Sequence, residues 1–286
     1  MGVNYWLIQT FNGISYGALL FLVGSGLSLI FGVMRIVNLS HGSYFLLGGY
    51  VALTVIWTTG SWVLAIPLAA LAIGAVGLVM ERVFLRPLGF DPLRQVLLTV
   101  GFAFLFQQAA LDIWTGNNFD ISPPQLLQQS VRVGSLYLPL YRVFMIAIAA
   151  AIGLALWLAM EKTRIGAMVR ATVDDAQMAR GVGIDTSRIS MFIFALGAAL
   201  AALGGVIGGA FLGIYPGLDF EILPLAFAVV IIGGMGSLGG AAIGALLVGL
   251  ADNFGKALFP EISYFTLYAP MALILAVKPT GLFGRE

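Results

Sequence analysis

Residues 6–31 read WLIQTFNGISYGALLFLVGSGLSLIF, twenty-six positions without a Lys, Arg, Asp or Glu. As a helix this block is about 39 Å long at 1.5 Å per residue, more than the roughly 30 Å of bilayer hydrocarbon. Met1 to Tyr5 carry no basic residue, and the block is too long for the apolar core of a signal peptide. It therefore reads as a retained transmembrane helix. Eight more apolar blocks follow, at 43–59, 62–84, 96–114, 143–160, 189–212, 222–235, 239–258 and 263–277. Several are shorter than the roughly 20 residues of a straight span, which predicts broken helices or segments that only dip into the membrane. Composition agrees: of 286 residues 60% are hydrophobic and 9% charged, where a soluble domain has about 25% charged. The expected fold is all-α, a polytopic transmembrane helical bundle with 8–9 membrane segments, some broken or re-entrant, in a single domain over 1–286.

The same composition excludes several kinds of function. A net charge of +1 supplies no field for nucleic acid. With no cysteine and one histidine there is no disulfide framework and no Cys/His zinc site. We expect no metal, no cofactor and no catalytic residue.

The basic residues are unevenly divided between the connections. Arg35, Arg82, Arg86, Arg94, Lys162, Arg164, Arg170, Arg180, Arg188, Lys278 and Arg285 fall on one side; Arg132, Arg142 and Lys256 fall on the other. By the positive-inside bias the 85–95 and 161–188 loops and the C-terminus are cytoplasmic, and 115–142 and 213–221 are external. Nine crossings put the N-terminus outside; a segment near Asn38 that only dips would reverse it. Asp91-Pro92 predicts an N-cap followed by proline in the first helical turn. Thr186 or Ser187 is expected to cap the next long span, and Pro224 to lie near a helix start. Ser122-Pro123-Pro124 reads as an extended loop.

Thirty-seven glycines suit helices packed backbone to backbone, as at Gly13/Gly17, Gly204/Gly208, Gly205/Gly209 and Gly236/Gly240/Gly244. Two places break the helical pattern. The first is Gly32–Gly42, which sets Asn38, Ser40, His41 and Gly42 between apolar blocks. Polar groups at membrane depth are tolerated when enclosed in protein or facing a water-filled path; a short cytoplasmic turn with a solvated His41 explains the composition equally well. The second is the glycine-dense run Gly233-Gly234-Met235-Gly236-Ser237-Leu238-Gly239-Gly240, through which a regular helix is not expected to continue. Interrupted apolar segments mark substrate paths in transporters. The two breaks are not at equivalent positions of two halves, so no internal repeat is inferred.

Residues 161–188 hold five Lys/Arg and four Asp/Glu in a chain otherwise poor in charge. The segment 167–180 has good helix formers and no proline, and Gly181 and Gly183 suit a helix end. It reads as a short amphipathic helix on the cytoplasmic face, either a solvated loop or a docking helix for a partner. Two motif matches fail on context. Gly234-x-Gly236-x-x-Gly239 lacks the strand and acidic residue of a dinucleotide site. Gly13-x-Ser15-x-Gly17 lies inside an apolar helix rather than on a strand-to-helix turn. No phosphate-binding Walker A pattern is present.

The run Gly26–Gly42 resembles the permeases of branched-chain amino acid ABC importers of the Liv type, with Phe31-Gly32 followed by Asn38, Ser40, His41 and Gly42. Arg170-Ala171, Asp175, Ala179 and Gly183-Ile184 match the family's cytoplasmic pattern. The Gly233–Gly240 run and the ending Pro279–Gly284 match as well, and the likeness favours the first of the two permeases such systems encode. The resemblance implies a multi-pass permease of the bacterial plasma (inner) membrane that is not itself an enzyme. Its expected partners are a second homologous permease, two cytoplasmic ABC ATPase subunits and an external substrate-binding protein. Residues 164–184 would be the coupling helix, with Arg170, Ala171, Asp175, Ala179, Gly183 and Ile184 at the ATPase contact. Asn38, Ser40, His41, Gly42, Gly233, Gly234, Gly236 and Ser237 would line or shape the substrate path. Branched-chain or other hydrophobic amino acids are the expected solutes. Urea, short amides or a sugar are alternatives within the same architecture. An ion-coupled secondary transporter, using Asp112, Asp252 or Lys256, and a purely structural membrane subunit are the alternatives outside it.

Overall fold

The computed structural model describes residues 2–89 and 91–284. In chain order its helices are α1 (Val3–Met34), α2 (His41–Thr59), α3 (Trp62–Val79), α4 (Pro92–Trp114), α5 (Leu140–Lys162), α6 (Arg164–Asp174), α7 (Ala176–Gly181), α8 (Thr186–Leu212), α9 (Leu218–Gly233), α10 (Leu238–Leu258) and α11 (Ser263–Val277). A π turn over Met80–Leu85 and a 3-10 turn over Arg86–Leu88 continue α3. Among the described residues six helices are long and apolar enough to cross a membrane: α1, α3 with its continuation to Leu88, α4, α5, α8 and α10. The chain is thus an all-α polytopic bundle; α2, α9 and α11 are shorter.

The connections sort into two ends. At one end strands β1 (Ser130–Val133) and β2 (Leu136–Pro139) pair antiparallel, Ser130 opposite Pro139 and Val133 opposite Leu136. Ser135 Oγ donates to Asn4 Oδ1 at 3.3 Å, Trp62 Nε1–H donates to the Ser122 carbonyl at 3.1 Å, and Phe119 bridges Ile214. Trp6 stacks on Phe254. This hairpin end therefore gathers the N-terminal residues, the 115–139 loop, the α2–α3 turn, the α8–α9 turn and the end of α10. At the opposite, basic end, Gly32 lies against Gly236, and Gln95 Nε2 donates to the Gly89 carbonyl at 2.5 Å. The C-terminal segment returns there as well: Leu282 N–H donates to the Ile232 carbonyl at 2.9 Å and Phe283 N–H to the Gly233 carbonyl at 3.0 Å. The division of loops expected from the basic residues is therefore reproduced as a division in space; Arg285 lies outside the described residues.

Packing, rather than the removal of apolar surface from water, holds such a bundle together. The core is built on α1 and α8. Helix α1 packs along α10, α8, α5 and α9, while α2 is enclosed by α8, α3 and α9. Helices α8 and α2 meet backbone to backbone: a Cβ on Gly205 would fall on the Phe45 carbonyl and 2.9 Å from the Gly49 nitrogen. Phe45 fills the neighbouring groove over Gly204 and Gly208. Helix α5 is tied on by Tyr141, whose hydroxyl donates to the Ile207 carbonyl at 2.6 Å, and by Arg142, which donates to Asn12 Oδ1 at 2.5 Å. Helix α4 leaves Leu93, Leu97, Phe104, Leu105 and Ile113 exposed, an apolar face suited to lipid or to another membrane chain.

Of the local expectations, the Asp91-Pro92 helix start held, while a cap at Thr186 or Ser187 and a helix start near Pro224 did not. Asp91 Oδ1 accepts from Arg94 N–H at 3.2 Å, with Pro92 opening α4. The cap of α8 is Asp185, one residue ahead of Thr186: its Oδ1 accepts from Arg188 N–H at 3.1 Å. Helix α9 begins at Leu218, so Pro224 is interior rather than near the start. Ser122-Pro123-Pro124 is loop, as expected, and is followed by a 3-10 turn over Gln125–Leu127 and the β1–β2 hairpin. Ser15 Oγ donates to the Phe11 carbonyl at 2.7 Å inside α1, not on the strand-to-helix turn that the nucleophile motif requires.

Candidate translocation and coupling sites

Helix α1 ends at Met34, and Arg35 stops it in the left-handed conformation at φ 53, donating its N–H to the Phe31 carbonyl at 2.8 Å. The chain then turns back alongside α1. His41, the first residue of α2, is fully buried, and its Nε2 donates to the Val23 carbonyl at 3.0 Å. Val23 is eleven residues before Met34, about 16 Å along the helix. Residues 35–40, non-helical and ending in a turn at Asn38–His41, cover that distance, within the roughly 3.3 Å per residue that six residues can span. So α2 starts inside the bundle, at membrane depth, and His41 is not a solvated residue of a cytoplasmic turn.

The turn at this start is stitched by side chains. Asn38 Oδ1 accepts from Ser40 N–H at 3.1 Å and from Ser40 Oγ at 2.7 Å, while Leu39 N–H donates to Thr99 Oγ1 of α4 at 3.2 Å. Ser40 Oγ is 3.4 Å from the Tyr44 hydroxyl, which reaches Met80 Sδ at 2.7 Å. Two polar atoms stay unpaired: Asn38 Nδ2 and His41 Nδ1 are buried without a protein partner. A backbone carbonyl can only accept, so the Nε2 bond leaves Nδ1 as a bare acceptor. Buried unpaired polar atoms cost about 1–3 kcal/mol each and persist where water or a ligand satisfies them or where function requires them.

Gly42 lies against the backbone of Asp219, and Ser43 Oγ donates to Asp219 Oδ2 at 3.0 Å. Asp219 is 2% exposed and its Oδ1 has no partner. The start of α9 therefore brings a carboxylate to the start of α2. Sequence reasoning missed Asp219 because 213–221 read as an external turn. The available signal was Asp219 and Glu221 in the first turn of an apolar helix, where acidic groups favour the helix dipole.

The glycine run forms a different kind of break. Gly233 ends α9, Gly234 (φ 102) and Gly236 (φ 82) turn the chain, and Ser237 caps α10 by accepting from Gly240 N–H at 3.0 Å. Gly233 and Gly240 cross backbone to backbone. Ser28 Oγ donates to the Ser237 carbonyl at 3.4 Å, so this turn is held against the last part of α1. The two breaks meet at one point, where Gly32 lies against Gly236; His41, at the far end of the first break, touches α1 nine residues earlier, at Val23.

The charged loop is two helices rather than one. Asp175 adopts extended backbone (φ −153, ψ 102), and its Oδ1 accepts from Gln177 N–H at 2.8 Å and Met178 N–H at 2.9 Å. An aspartate that can satisfy the amides ahead of it favours a fresh start over continuation. Thr163 caps α6 in the same way, accepting from Gly166 N–H at 3.1 Å. Gly183 (φ 89) closes α7, and Ile184 N–H reaches back to the Ala179 carbonyl at 2.9 Å. Arg170 donates to the Met160 carbonyl at the end of α5 and lies 3.9 Å from Glu161. Ala179 is buried, and Ala171 and Ile184 are half-buried. These matched residues shape the element from within. Its most exposed apolar residues, missed in the sequence, are Met178 and Val182, 67% and 74% exposed and four positions apart; Ile165 of α6 is 46% exposed.

The capping role predicts a graded response. Asp175→Asn keeps an acceptor and should leave α7 intact. Asp175→Ala should loosen α7 by about 1 kcal/mol. Hydrogen exchange at Gln177 and Met178 would speed up roughly fivefold in the alanine variant alone; equal protection in all three proteins would remove the cap from the argument.

Residues 9–275 match the family model described as "Branched-chain amino acid transport system / permease component". The chain is 32% identical to the high-affinity branched-chain amino acid transport system permease protein LivH of Salmonella typhimurium, over 98% of this chain and 96% of that protein. It is 31% identical to LivH of Escherichia coli K12, with the same coverage. Identity to the permease protein BraD of Pseudomonas aeruginosa is 28%, over 99% of this chain and 97% of that one. No solved structure matches the chain.

Proposed function

The chain belongs to the family of branched-chain amino acid transport permeases and is a permease subunit of an ABC importer; on that premise we propose that its solutes are branched-chain or other hydrophobic amino acids delivered by an external binding protein. A second homologous permease and two ABC ATPase subunits complete the importer, and ATP hydrolysis belongs to the ATPases. The basic end is cytoplasmic, the hairpin end external, and the membrane is the bacterial inner membrane. The six long spans together with α2, α9 and α11 make nine membrane segments, α2 completing its crossing with the non-helical residues 35–40 ahead of it.

The observation that carries this reading is the start of α2 at membrane depth. It brings Asn38, Ser40, His41 and Gly42, with Asp219, to a place where lipid would otherwise exclude polar atoms. Helix starts within a membrane offer free N–H groups to a carboxylate, and carbonyls or acidic side chains there suit an ammonium. A zwitterion with an apolar side chain can thus be satisfied with few charged residues. The turn of Gly233, Gly234, Gly236 and Ser237 shapes the cytoplasmic half of the same path, beside α1. The helix pair α6–α7 couples it to the ATPases: Arg170, Ala171, Asp175, Ala179, Gly183 and Ile184 hold its form, and Met178 and Val182 make the contact. Closure of the ATPases then moves α6–α7 as a rigid body and opens the path to alternate sides.

The test is uptake by vesicles holding the complete importer, against labelled leucine, valine, urea and a pentose. ATP-dependent uptake of the two amino acids alone is expected. Uptake of urea or the pentose without the amino acids overturns the solute assignment.

A further inference from the structure

Between α6–α7 and the bundle lies a cleft of about 440 Å³ at the basic end, within the size range of small-molecule sites. It is not part of the path proposed above. Its apolar wall is formed by Val33 at the end of α1, Ile36 in the return segment and Leu85 in the π turn. Its charged groups are Glu81, Arg86, Arg180 and Asp185, the last already paired with Arg188 at 2.9 Å. Glu81 is 2% exposed, and its Oε2 is buried without a hydrogen-bond partner. Arg180 is fixed at the other wall by its Nε–H, which donates to Thr186 Oγ1 at 3.0 Å; the two terminal nitrogens of its fork remain for another acceptor.

A buried carboxylate oxygen lacking a donor, guanidinium groups suited to a carboxylate, and an apolar wall are together complementary to a zwitterion with a hydrocarbon side chain. We propose that this cleft is a second, cytoplasmic binding site for an apolar α-amino acid, with its ammonium on Glu81, its carboxylate on Arg180 and Arg86, and its side chain against Val33, Ile36 and Leu85. The identity of the ligand rests on the solute reading above. Glu81 belongs to the continuation of α3, and Arg180 to α7. A ligand that bridges them ties the coupling element to the bundle in the present arrangement. It lowers the share of molecules free to cycle, because it binds one conformation better than the others. The site therefore acts as a brake: amino acid accumulated on the cytoplasmic side slows its own import.

The test uses the complete importer in proteoliposomes with ATP inside and the binding protein outside. In vesicles without internal amino acid, failure to take up leucine would overturn the solute reading rather than the brake. With millimolar leucine inside, initial uptake and ATP hydrolysis are both expected to fall by about threefold or more. Internal 4-methylpentanoate or isopentylamine, each lacking one charge, should leave both rates unchanged. Glu81→Gln and Arg180→Gln should import into empty vesicles at near the parent rate and lose the inhibition. Arg180 is exposed on α7, so its variant keeps the test open if Glu81→Gln fails to assemble. Rates indifferent to internal leucine, inhibition by the singly charged analogues, or inhibition undiminished in Arg180→Gln would each overturn the proposal.

Discussion

Gly205→Val is expected to remove the folded protein from the membrane. Helices α8 and α2 meet there with backbone against backbone: the added Cβ lands on the Phe45 carbonyl and 2.9 Å from the Gly49 nitrogen. Neither atom belongs to a flexible side chain, so relief requires the two helices to separate. Separation would lift Phe45 out of the groove over Gly204 and Gly208 and disturb the enclosed α2. Overpacking of this kind costs about 3 kcal/mol or more, a large part of the stability of a typical domain. Gly101→Val in α4 is the control, since a Cβ there meets nothing within 4 Å. Size-exclusion profiles of fluorescently tagged protein from solubilised membranes distinguish them. A monodisperse Gly205→Val peak of parental height would show that the crossing has slack the geometry does not suggest.

The second large effect belongs to the double substitution Met178→Glu and Val182→Glu. The two side chains, one on α7 and one at its C-cap, are 67% and 74% exposed. Covering each by a partner contributes about 1.5–3 kcal/mol. Two carboxylates placed in a closed apolar contact reverse that contribution and add desolvation. The variant should enter the membrane normally, lose its ATPase subunits on affinity purification, and transport at least about tenfold more slowly. Because neither side chain is buried in this chain, loss of folding is not an expected cause. Parental recovery of the ATPases would place the docking contact elsewhere on the basic end.

Much of this molecule is legible in its sequence because the bilayer permits few solutions. Long uncharged blocks, the lopsided basic residues and the Asp91-Pro92 cap each follow from one strong local rule, and each reappears in the fold. The polar atoms at Asn38, Ser40 and His41 could be read as a break, but not as a return into the bundle. That depends on the Val23 carbonyl, which is nearby only after α1 and α2 have packed. Asp219 and Glu81 escaped for a related reason: each sits beside apolar sequence near a loop, where an acidic residue is ordinarily solvated. The break at Asp175 was legible in principle. Its side chain can cap the amides two and three residues ahead, and that local preference outweighed the helix propensity of the segment around it.

The return of the chain's last described residues to α9 has a consequence for biogenesis. The carbonyls of Ile232 and Gly233 are satisfied by Leu282 and Phe283, which the ribosome adds about fifty residues later. Until that strap leaves the insertion machinery, this corner of the protein has open acceptors in an apolar setting. Translation order thus makes the strap a latch that closes only after α9, α10 and α11 have been made. A nascent chain halted before it would carry an unfinished corner that quality-control proteases could recognise.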